Sequence, residues 1–369
     1  MGFYFAREFR RRCWEVAAVC QPPVSADSAS VITRLQEIGV TVDGVGPFSG
    51  RLDRTVTRRF ADTFRRHRVA LVVSMHQVDM KFAGLAAREV GVPYVCSGQN
   101  TFTFGGPWWK QQISRRVLGW ILNRSCTAVV ATSGRVENEF RTLLGYRGRI
   151  GVVPNGVDTA VNREAARDRA GVRTELGYSP GDRVFVSVGR ISEQKNQLGL
   201  VEAFAAAFPR VGAEKLLLVG GVTQDSGHLA SGADYQSRLD ARIRELRLED
   251  RVQRTGWRRD VPRLLAGADV YVQASLWEGS PLAVVEAMAA GLPVVVADNG
   301  GVLPDFRHGI HGWVVPVGDT GALAKALAEV GGCDGDRLRN MGQQAQGLAC
   351  SRYDAQIVAG QFYERATQV

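Results

Sequence analysis

Runs of apolar, mostly β-branched residues recur along the chain, and each is followed by enough residues to form one helix. In the first half the runs are Trp14–Cys20, Ala70–Ser74, Pro93–Ser97, Thr127–Ala131 and Ile150–Val153. In the second half they are Val184–Val188, Leu216–Val219, Val270–Ala274 and Val294–Ala297. Continuous apolar strands that alternate with helices are typical of parallel sheets covered on both faces. The pattern therefore predicts an α/β protein with two doubly wound domains, each binding ligands at the carboxyl ends of its strands.

The segment Pro154–Asp158 interrupts this pattern, because its Pro and Asn-Gly favour turns. We expect the domain boundary there, with an N-terminal domain over residues 1–158. The chain opens on a predicted helix, Phe3–Arg12, whereas a doubly wound domain normally begins with a strand and a Gly-rich turn. The N-terminal domain is therefore expected to lack its first strand and Gly-rich loop.

Length and composition agree with two packed domains. The 369 residues equal about two domains of ~150 residues, and 45% of them are hydrophobic while 22% are charged. The sequence has no uninterrupted apolar run of the ~18 residues that a membrane-spanning helix requires, and the segment after Met1 does not resemble a signal peptide. We expect a cytoplasmic protein.

The net charge is +9, and it is unevenly distributed. Residues 1–150 contain 22 Lys and Arg against 11 Asp and Glu, so the whole positive excess lies in the first half. Such asymmetry favours an anionic partner, such as a phosphorylated lipid carrier, an anionic membrane surface or nucleic acid. Arginine-rich helix faces exposed to water are the alternative explanation.

The segment Ser275–Pro293 contains a strong helix start. Ser280 is a favourable cap and the Pro after it suits the first helical position, so we predict a helix over Pro281–Ala290. Its first turn follows an apolar strand, which directs the backbone amides of Leu282 and Ala283 toward the sheet's carboxyl edge. Free amides at a helix start are suited to binding an anion.

Two glutamates flank this helix start. Glu278 lies in the loop ahead of it and Glu286 lies one to two turns inside. Carboxylates accept hydrogen bonds from hydroxyl groups, so the pair suits a sugar or ribose beside an anion held by the amides. In the alternative interpretation, Glu278 is an ordinary loop residue and Glu286 only stabilises the helix dipole.

Basic residues follow the apolar strand Val184–Val188. Gly189 and Arg190 come directly after it, and Lys195 lies five positions beyond Arg190. Two cations on one loop can contact a single diphosphate, Arg as a planar fork and Lys as a point charge. Together with the helix start, they predict a diphosphate clamp in the second half of the chain.

The motifs of the second half together form a recognisable set. They are Gly189-Arg190 with Lys195, Leu216–Gly221, Thr255-Gly256-Trp257, Asp260-Val261-Pro262, Ala268-Asp269-Val270, Glu278-Gly279-Ser280-Pro281, Glu286–Val295 and Gly300-Gly301, preceded by Val153–Asp158. This set resembles the retaining glycosyltransferases of family 4, which have the GT-B fold of two Rossmann-like domains facing across a cleft. The resemblance covers roughly residues 14–369 and is densest over residues 184–318.

The resemblance implies that the donor is a sugar linked to a nucleoside diphosphate, with UDP, GDP or ADP as the nucleotide. Arg190 and Lys195 would then hold the diphosphate and offset charge on the departing nucleotide. Glu286 would hold the ribose hydroxyls, and Glu278 the transferred sugar. The backbone near Trp257 would line the base.

The resemblance also assigns the two domains. Residues 159–350 would form the donor-binding domain, and residues 351–369 would form a helix that crosses back to the N-terminal domain. The N-terminal domain would supply the acceptor side. A sugar or lipid-linked acceptor of bacterial polysaccharide or glycolipid synthesis is expected, which leaves room for peripheral contact with the inner face of a membrane.

Family members retain the anomeric configuration, commonly explained by front-face attack within an ion pair. Fixed cations stabilise the departing diphosphate, so neither a metal nor another cofactor is expected. The Asp-x-Asp sequence Asp334-Gly335-Asp336 lies far from the clamp and ahead of a helical stretch. We interpret it as a turn and helix cap, with a metal site as the alternative.

Two residues of the first half are candidates for the acceptor side. In many relatives a His follows the strand equivalent to Pro93–Ser97, whereas Gln99 occupies that place here. A Gln side chain can donate and accept hydrogen bonds but cannot carry a proton away. His76 follows another strand, and its alternative is a structural role.

The segment from Trp108 to Arg124 interleaves aromatic and basic residues, as helices at a membrane interface do. Its apolar positions 109, 113, 117, 120 and 121 also suit packing on a sheet, and we predict that they form the buried face.

Three other functions have less support. Dinucleotide binding would need a Gly-x-Gly-x-x-Gly motif, which Gly44–Gly50 misses by one position. Nucleic-acid binding rests on charge alone, so no nucleic-acid partner is expected. A non-catalytic chain is the remaining rival, since it would bind nucleotide through the second domain while lacking the opening strand and Gly-rich loop.

Overall fold

The computed structural model describes residues 1–21, 26–45, 52–99, 101–102, 104–210, 212–222 and 229–368. Packing divides the chain into a first unit, Met1–Gly156 with Ala355–Val369, and a second unit, Val157–Asp354. The domain limits expected from sequence, at residues 158 and 350, stay a prediction. The motif Gly44–Gly50 lies mostly outside the described residues.

The described part of the chain alternates strands and helices. The strands are β1 Ala17–Cys20, β2 Thr41–Gly44, β3 Val72–Ser74, β4 Tyr94–Gly98, β5 Ala128–Ala131, β6 Arg149–Val152, β7 Arg183–Val188, β8 Glu214–Val219, β9 Val252–Gly256, β10 Val270–Gln273, β11 Val294–Asp298 and β12 Gly312–Pro316. The helices are α1 Gly2–Arg11, α2 Ala26–Glu37, α3 Arg54–Arg66, α4 Met80–Val90, α5 Trp108–Ser125, α6 Gly134–Thr142, α7 Thr159–Ala165, α8 Arg169–Leu176, α9 Gln197–Ala207, α10 Leu229–Glu245, α11 Val261–Ala266, α12 Leu282–Ala289, α13 Thr320–Gly331, α14 Gly335–Arg352 and α15 Ala355–Thr367.

All pairs between the described strands are parallel. The second unit has one six-stranded sheet in the order β12-β11-β10-β7-β8-β9. The first unit has a four-stranded sheet, β3-β4-β5-β6, and a two-stranded sheet, β1-β2. The chain opens on helix α1, as the sequence predicts.

Every apolar run identified in the sequence contains a strand, and the α/β class is confirmed. Three further strands, β2, β9 and β12, were not predicted. Each of them lies at the end of its sheet, where the neighbouring strand covers only one side. Strands in that position have less need of a continuous apolar sequence, which accounts for the polar residues of β2 and β9 but not for the apolar β12.

Helix α15 packs against helix α1 in the core of the first unit. The rings of Phe5 and Phe362 stack with their centres 3.9 Å apart. The indole N–H of Trp14 donates to the hydroxyl oxygen of Tyr363 over 3.2 Å. The last helix therefore belongs to the same core as the first.

Helix α5 buries a different face from the predicted one. Its buried residues are Leu118, Gly119, Ile121 and Leu122. Of the predicted core positions, only Ile121 is buried and Val117 is partly covered, while Trp109, Ile113 and Trp120 are 48%, 55% and 51% exposed. Gly119 explains the choice of face, because a Cβ there would lie 2.0 Å from the carbonyl oxygen of Leu144. Only glycine permits this close approach of helix and chain.

Removing the Phe362 ring is expected to lower the free energy of unfolding by about 3–5 kcal/mol, because Phe362→Ala leaves a cavity between α1 and α15. Ile357→Ala on the same helix is the control, since Ile357 is 39% exposed and its loss should cost less than about 1 kcal/mol. Denaturant unfolding followed by tryptophan fluorescence measures both. Equal losses in the two variants would contradict the packing.

Candidate functional site

The strand order of the second unit reverses between β7 and β10. These strands are paired in parallel, with Phe185 opposite Val270 and Val186 opposite Tyr271. From β7 the chain continues to β8 and β9 on one side, and from β10 to β11 and β12 on the other. The loops that follow β7 and β10 therefore leave in opposite directions, which opens a crevice at the carboxyl edge of the sheet.

The loop after β7 begins with a close backbone approach. The Gly189 amide donates to the carbonyl oxygen of Val219 over 2.9 Å. A Cβ on Gly220 would lie 2.0 Å from the Gly189 carbonyl oxygen, so a side chain at Gly220 would separate the ends of β7 and β8. A Cβ on Gly189 would lie 3.1 Å from the Lys195 side chain. The glycine at 189 thus gives the lysine stem space to lie across the loop.

The two loops are joined by an ion pair. The Lys195 ammonium donates to Oε1 of Glu278 over 2.5 Å. The side chains of Lys195 and Glu278 are only 21% and 9% exposed, so water screens the pair weakly. The structure thus brings together two residues that the sequence assigned to the diphosphate and to the sugar.

Gln194 connects the same two loops, and sequence reasoning missed it. Its amide nitrogen donates to the carbonyl oxygen of Trp277 over 3.0 Å, and its backbone carbonyl accepts from the Leu276 amide over 2.8 Å. Its side-chain oxygen accepts from the Arg190 guanidinium over 3.2 Å. Gln194 therefore holds the Arg190 side chain toward the loop that contains Glu278.

The loop after β11 supports Glu278 from behind. Asn299 is buried and donates from Nδ2 to the carbonyl oxygen of Ser275 over 3.0 Å. Its Oδ1 accepts from the Gly301 amide over 3.0 Å. A Cβ on Gly301 would lie 2.9 Å from the Cβ of Glu278, so only a glycine lets the two loops touch there. The Gly300-Gly301 motif was the sequence signal for this contact.

Helix α12 starts one residue later than predicted. It runs Leu282–Ala289, and Pro281 precedes it as the N-terminal boundary residue without a side-chain cap. Leu282 is exposed and Ala283 is half-buried, and both lie in the first turn. The first amides of a helix have no acceptor within that helix. Because α12 starts at Leu282, the amides of Leu282 and Ala283 lie one position closer to its N-terminus than predicted.

Glu286 lies half-buried on α12, and burial raises the pKa of its carboxyl group. Tyr271 on β10 is buried, and burial is the main reason that the pKa of its phenol is raised. The negative charges of Glu278 and Glu286 raise this pKa further. The two carboxylates thus act on one buried phenol. Trp257 follows β9, two strands away from β7, and is 64% exposed.

His76 and Gln99 lie at the carboxyl ends of the neighbouring strands β3 and β4. His76 is exposed, and its backbone amide donates to Oδ1 of Asp79 over 3.0 Å. Gln99 donates from Nε2 to the Ser97 hydroxyl over 2.5 Å. Burial raises the pKa of Asp79 to about 6, against the opposing effects of His76. Asp79 is therefore a titratable group that the sequence analysis did not single out.

Asp334 caps helix α14, as predicted, because its side chain accepts from the Arg337 amide over 2.7 Å. Asp336 forms an ion pair with Arg339. Within the described ranges, no group of three or more His, Cys, Asp or Glu side chains is arranged to hold a metal ion.

Two protein-family models match the chain, one in each half. The model described as Glycosyltransferase Family 4 matches residues 3–161, and the model described as Glycosyl transferases group 1 matches residues 168–347. The chain belongs to glycosyltransferase family 4, which confirms the resemblance of the motifs.

The curated relatives include bacterial enzymes that transfer sugars. The chain is 29% identical to UDP-Gal:alpha-D-GlcNAc-diphosphoundecaprenol alpha-1,3-galactosyltransferase of Escherichia coli, over 67% of this chain and 62% of the relative. It is 37% identical to D-inositol 3-phosphate glycosyltransferase of Nocardia farcinica, over 59% of this chain and 47% of the relative. The chain therefore spans about half to three fifths of the length of these relatives.

Solved structures show the same fold along the whole chain. Anabaena HepE in complex with UDP and glucose aligns with a TM-score of 0.82 and 25% identity, covering 100% of this chain and 95% of that one. HepE in complex with UDP-glucose aligns with a TM-score of 0.81 and 23% identity, covering 100% and 94%. The GT-B fold is confirmed. The relatives and neighbours do not favour the non-catalytic alternative.

Gln194→Met is expected to weaken UDP binding by about fivefold to tenfold, because the thioether neither accepts from Arg190 nor donates to Trp277. The backbone bond between Leu276 and residue 194 remains, so the free energy of unfolding should fall by only about 1 kcal/mol. Calorimetric titration with UDP measures the affinity. Gln343→Met, at an exposed position on α14, is the matched control, and an affinity loss in both variants would contradict the positioning role.

Asp79→Asn is expected to raise the free energy of unfolding by about 2–3 kcal/mol above pH 6, where the wild-type protein has to ionise a buried carboxyl group. Because the folded-state pKa is raised, wild-type stability is lost as pH rises from about 4 through about 6. Below about pH 4 the gain should disappear. Urea unfolding at both ends of this range tests it, with exposed Asp62→Asn as control; an equal gain at both pH values would exclude Asp79 as its source.

Proposed function

We propose that this protein is a retaining, metal-independent glycosyltransferase that moves a sugar from a nucleotide-diphosphate sugar to an acceptor in bacterial polysaccharide or glycolipid synthesis. The observation that most supports this function is the meeting of Lys195 with Glu278 at the strand-order reversal. Lys195, a cation suited to phosphate, and Glu278, a carboxylate suited to hydroxyl groups, are therefore hydrogen-bonded to each other. A nucleotide-diphosphate sugar presents these two kinds of group next to each other.

In the proposed reaction, the bond between the anomeric carbon and the diphosphate oxygen breaks. Negative charge grows on the diphosphate, and Arg190 and Lys195 stabilise it from fixed positions. Gln194 keeps Arg190 in place, and the amides of Leu282 and Ala283 offer further donors at the start of α12. Because the leaving group is stabilised by these cations and amides, the proposal assigns no step to a metal ion.

Positive character grows on the sugar ring during the same step. Glu278 is proposed to accept hydrogen bonds from the sugar hydroxyls and to stabilise that charge across the ring. Glu286 is proposed to accept from the ribose hydroxyls, and the backbone after Trp257 to line the base. Retention follows if the acceptor hydroxyl attacks the face that the diphosphate leaves, so that its oxygen bonds to the anomeric carbon and its proton passes to the departing diphosphate. This part of the proposal rests on family membership.

The nucleotide is proposed to be UDP, with GDP and ADP as the alternatives. The HepE complexes contain UDP or UDP-glucose, and the E. coli relative is named as a UDP-Gal enzyme. The acceptor is proposed to be a sugar or lipid-linked molecule bound by the first unit, where His76, Asp79 and Gln99 are candidates. A place on the inner face of a membrane, as a peripheral protein, is part of the same proposal.

Arg190→Ala, Lys195→Ala and Glu286→Ala are each expected to weaken UDP binding about 10- to 100-fold, the effect of losing one charged contact. Glu278→Ala should mainly lower the turnover of an NDP-sugar, since its contacts strengthen as the sugar becomes positive. Calorimetric titration with UDP, GDP and ADP measures affinity, and release of free nucleotide from the matching sugar donors measures turnover.

Matched control variants are Arg244→Ala and Lys325→Ala, both at exposed positions of the second unit. Lys195→Ala leaves a buried carboxylate without its partner, so unfolding curves of each variant must show that the protein is folded at the assay temperature. Unchanged UDP affinity in folded Arg190→Ala and Lys195→Ala would overturn the clamp. Nucleotide binding without turnover of any UDP-, GDP- or ADP-sugar would overturn the enzyme assignment.

A further inference from the structure

Helix α5 has two apolar faces, of which only one is packed against protein. Leu118, Ile121 and Leu122 face the core. Trp109, Ile113 and Trp120, spaced by four and seven residues, form a stripe on the opposite face, where about half of each side chain is exposed. An isolated exposed apolar residue is common on protein surfaces, whereas two tryptophans and an isoleucine aligned on one helix face mark a contact surface.

The charged residues of helix α5 all have one sign. Helix α5 contains Lys110, Arg115, Arg116 and Arg124 and no Asp or Glu. Arg124 lies over the ring of Trp120, 4.6 Å from its centre, and Lys110 lies 5.2 Å from that of Trp109. Arg116 is exposed, two helical turns from Trp109 and one turn from Trp120. Basic side chains therefore border the apolar stripe along its length.

We propose that the outward face of α5, formed by Trp109, Ile113, Arg116, Trp120 and Arg124, is the surface by which the protein lies on an anionic lipid membrane. Tryptophan suits the boundary between headgroups and acyl chains, because its ring is apolar and its N–H is polar. The arginines contact lipid phosphates at the same depth. The exposed apolar stripe suits the acyl chains, and the basic residues suit the anionic headgroups, so the two features together fit an anionic lipid membrane.

The charge of this face favours a lipid surface over a second copy of the chain. The described residues include no helix long and apolar enough to cross a membrane, so contact through α5 would be confined to the interface. A second copy of the chain would bring the arginines of two α5 helices together, and like charges at a buried contact are unfavourable. An anionic membrane supplies the opposite charge to every cation of the face.

The inference deepens the proposed function by naming a surface for its membrane-side location, and it can fail independently. Vesicle flotation of the full chain compares phosphatidylglycerol-rich vesicles with pure phosphatidylcholine vesicles. The wild-type chain should float with the anionic vesicles and much less with the neutral ones. Added salt should reduce binding to the anionic vesicles, because the cations are exposed.

Trp109→Ser with Trp120→Ser should reduce the partition coefficient by about tenfold or more, because the apolar contact is lost. Arg116→Gln with Arg124→Gln should reduce it about 25-fold on anionic vesicles, roughly fivefold for each cation near the surface. Ile310→Ser and Arg244→Gln, at exposed positions of the second unit, are controls that should bind vesicles as the wild-type chain does. UDP affinity measured on the same samples should be equal in all variants.

Absence of wild-type flotation on anionic vesicles would overturn the inference, as would flotation that the α5 variants leave unchanged. A wild-type dimer in sedimentation velocity that Trp109→Ser with Trp120→Ser dissociates would assign the stripe to a second copy and would also overturn it. Vesicle binding in a protein that binds no nucleotide would leave the membrane surface standing while the donor proposal fails.

Discussion

Lys195 and Glu278 are 83 residues apart in the chain and share a hydrogen bond of 2.5 Å. Their contact exists because β7 pairs directly with β10, which places the ends of two distant strands side by side. The other contacts between the loops that follow β7 and β10 depend on the same pairing. Gln194 reaches Trp277 across it, and Asn299 and Gly301 fix the far side of the Glu278 loop. A buried ion pair is worth little to stability on its own, but a partner left alone costs about 3–5 kcal/mol.

The same pair limits how strongly the crevice attracts anions. Glu278 offsets the charge of Lys195, whereas Arg190 on the same loop forms no ion pair with a carboxylate of the described residues. A free phosphate gains little by entering such a site. A ligand that offers hydroxyl groups to Glu278 and phosphate oxygens to the cations gains from both, which favours sugar-linked diphosphates over simple anions.

The sequence predicted most of the sheet architecture because strands buried on both faces require continuous apolar runs. It missed β2 and β9 because strands at a sheet end can include polar residues, as in Val252–Gly256 with its Gln, Arg and Thr. It also missed β12, Gly312–Pro316, although that strand is apolar. It located Arg190, Lys195 and Glu278 on the correct loops, since charge and strand order are visible in sequence. The sequence did not indicate Gln194, because the role of this uncharged side chain depends on its hydrogen bond to the Trp277 carbonyl on another loop.

For helix α5, the sequence could not decide which face is buried. Both of its faces have apolar residues at helical spacing, so periodicity alone gives two answers. The deciding residue is Gly119, whose missing side chain allows the backbone to approach Leu144, and that contact turns the tryptophans outward. The glycine within the apolar stretch of residues 117–122 was the available signal, and it has to be interpreted together with the segment that it contacts.

The stacking of Phe362 on Phe5 has a consequence for how the chain is made. During synthesis the residues of the second unit, Val157–Asp354, leave the ribosome before helix α15 does. The second unit can therefore fold while the first unit, although begun earlier, still exposes the apolar surface of α1 that α15 covers. Domains generally form in the order of synthesis, from the N-terminus onward. Here the order of completion is reversed, because the packing of the N-terminal unit is completed only after α15 has been synthesised.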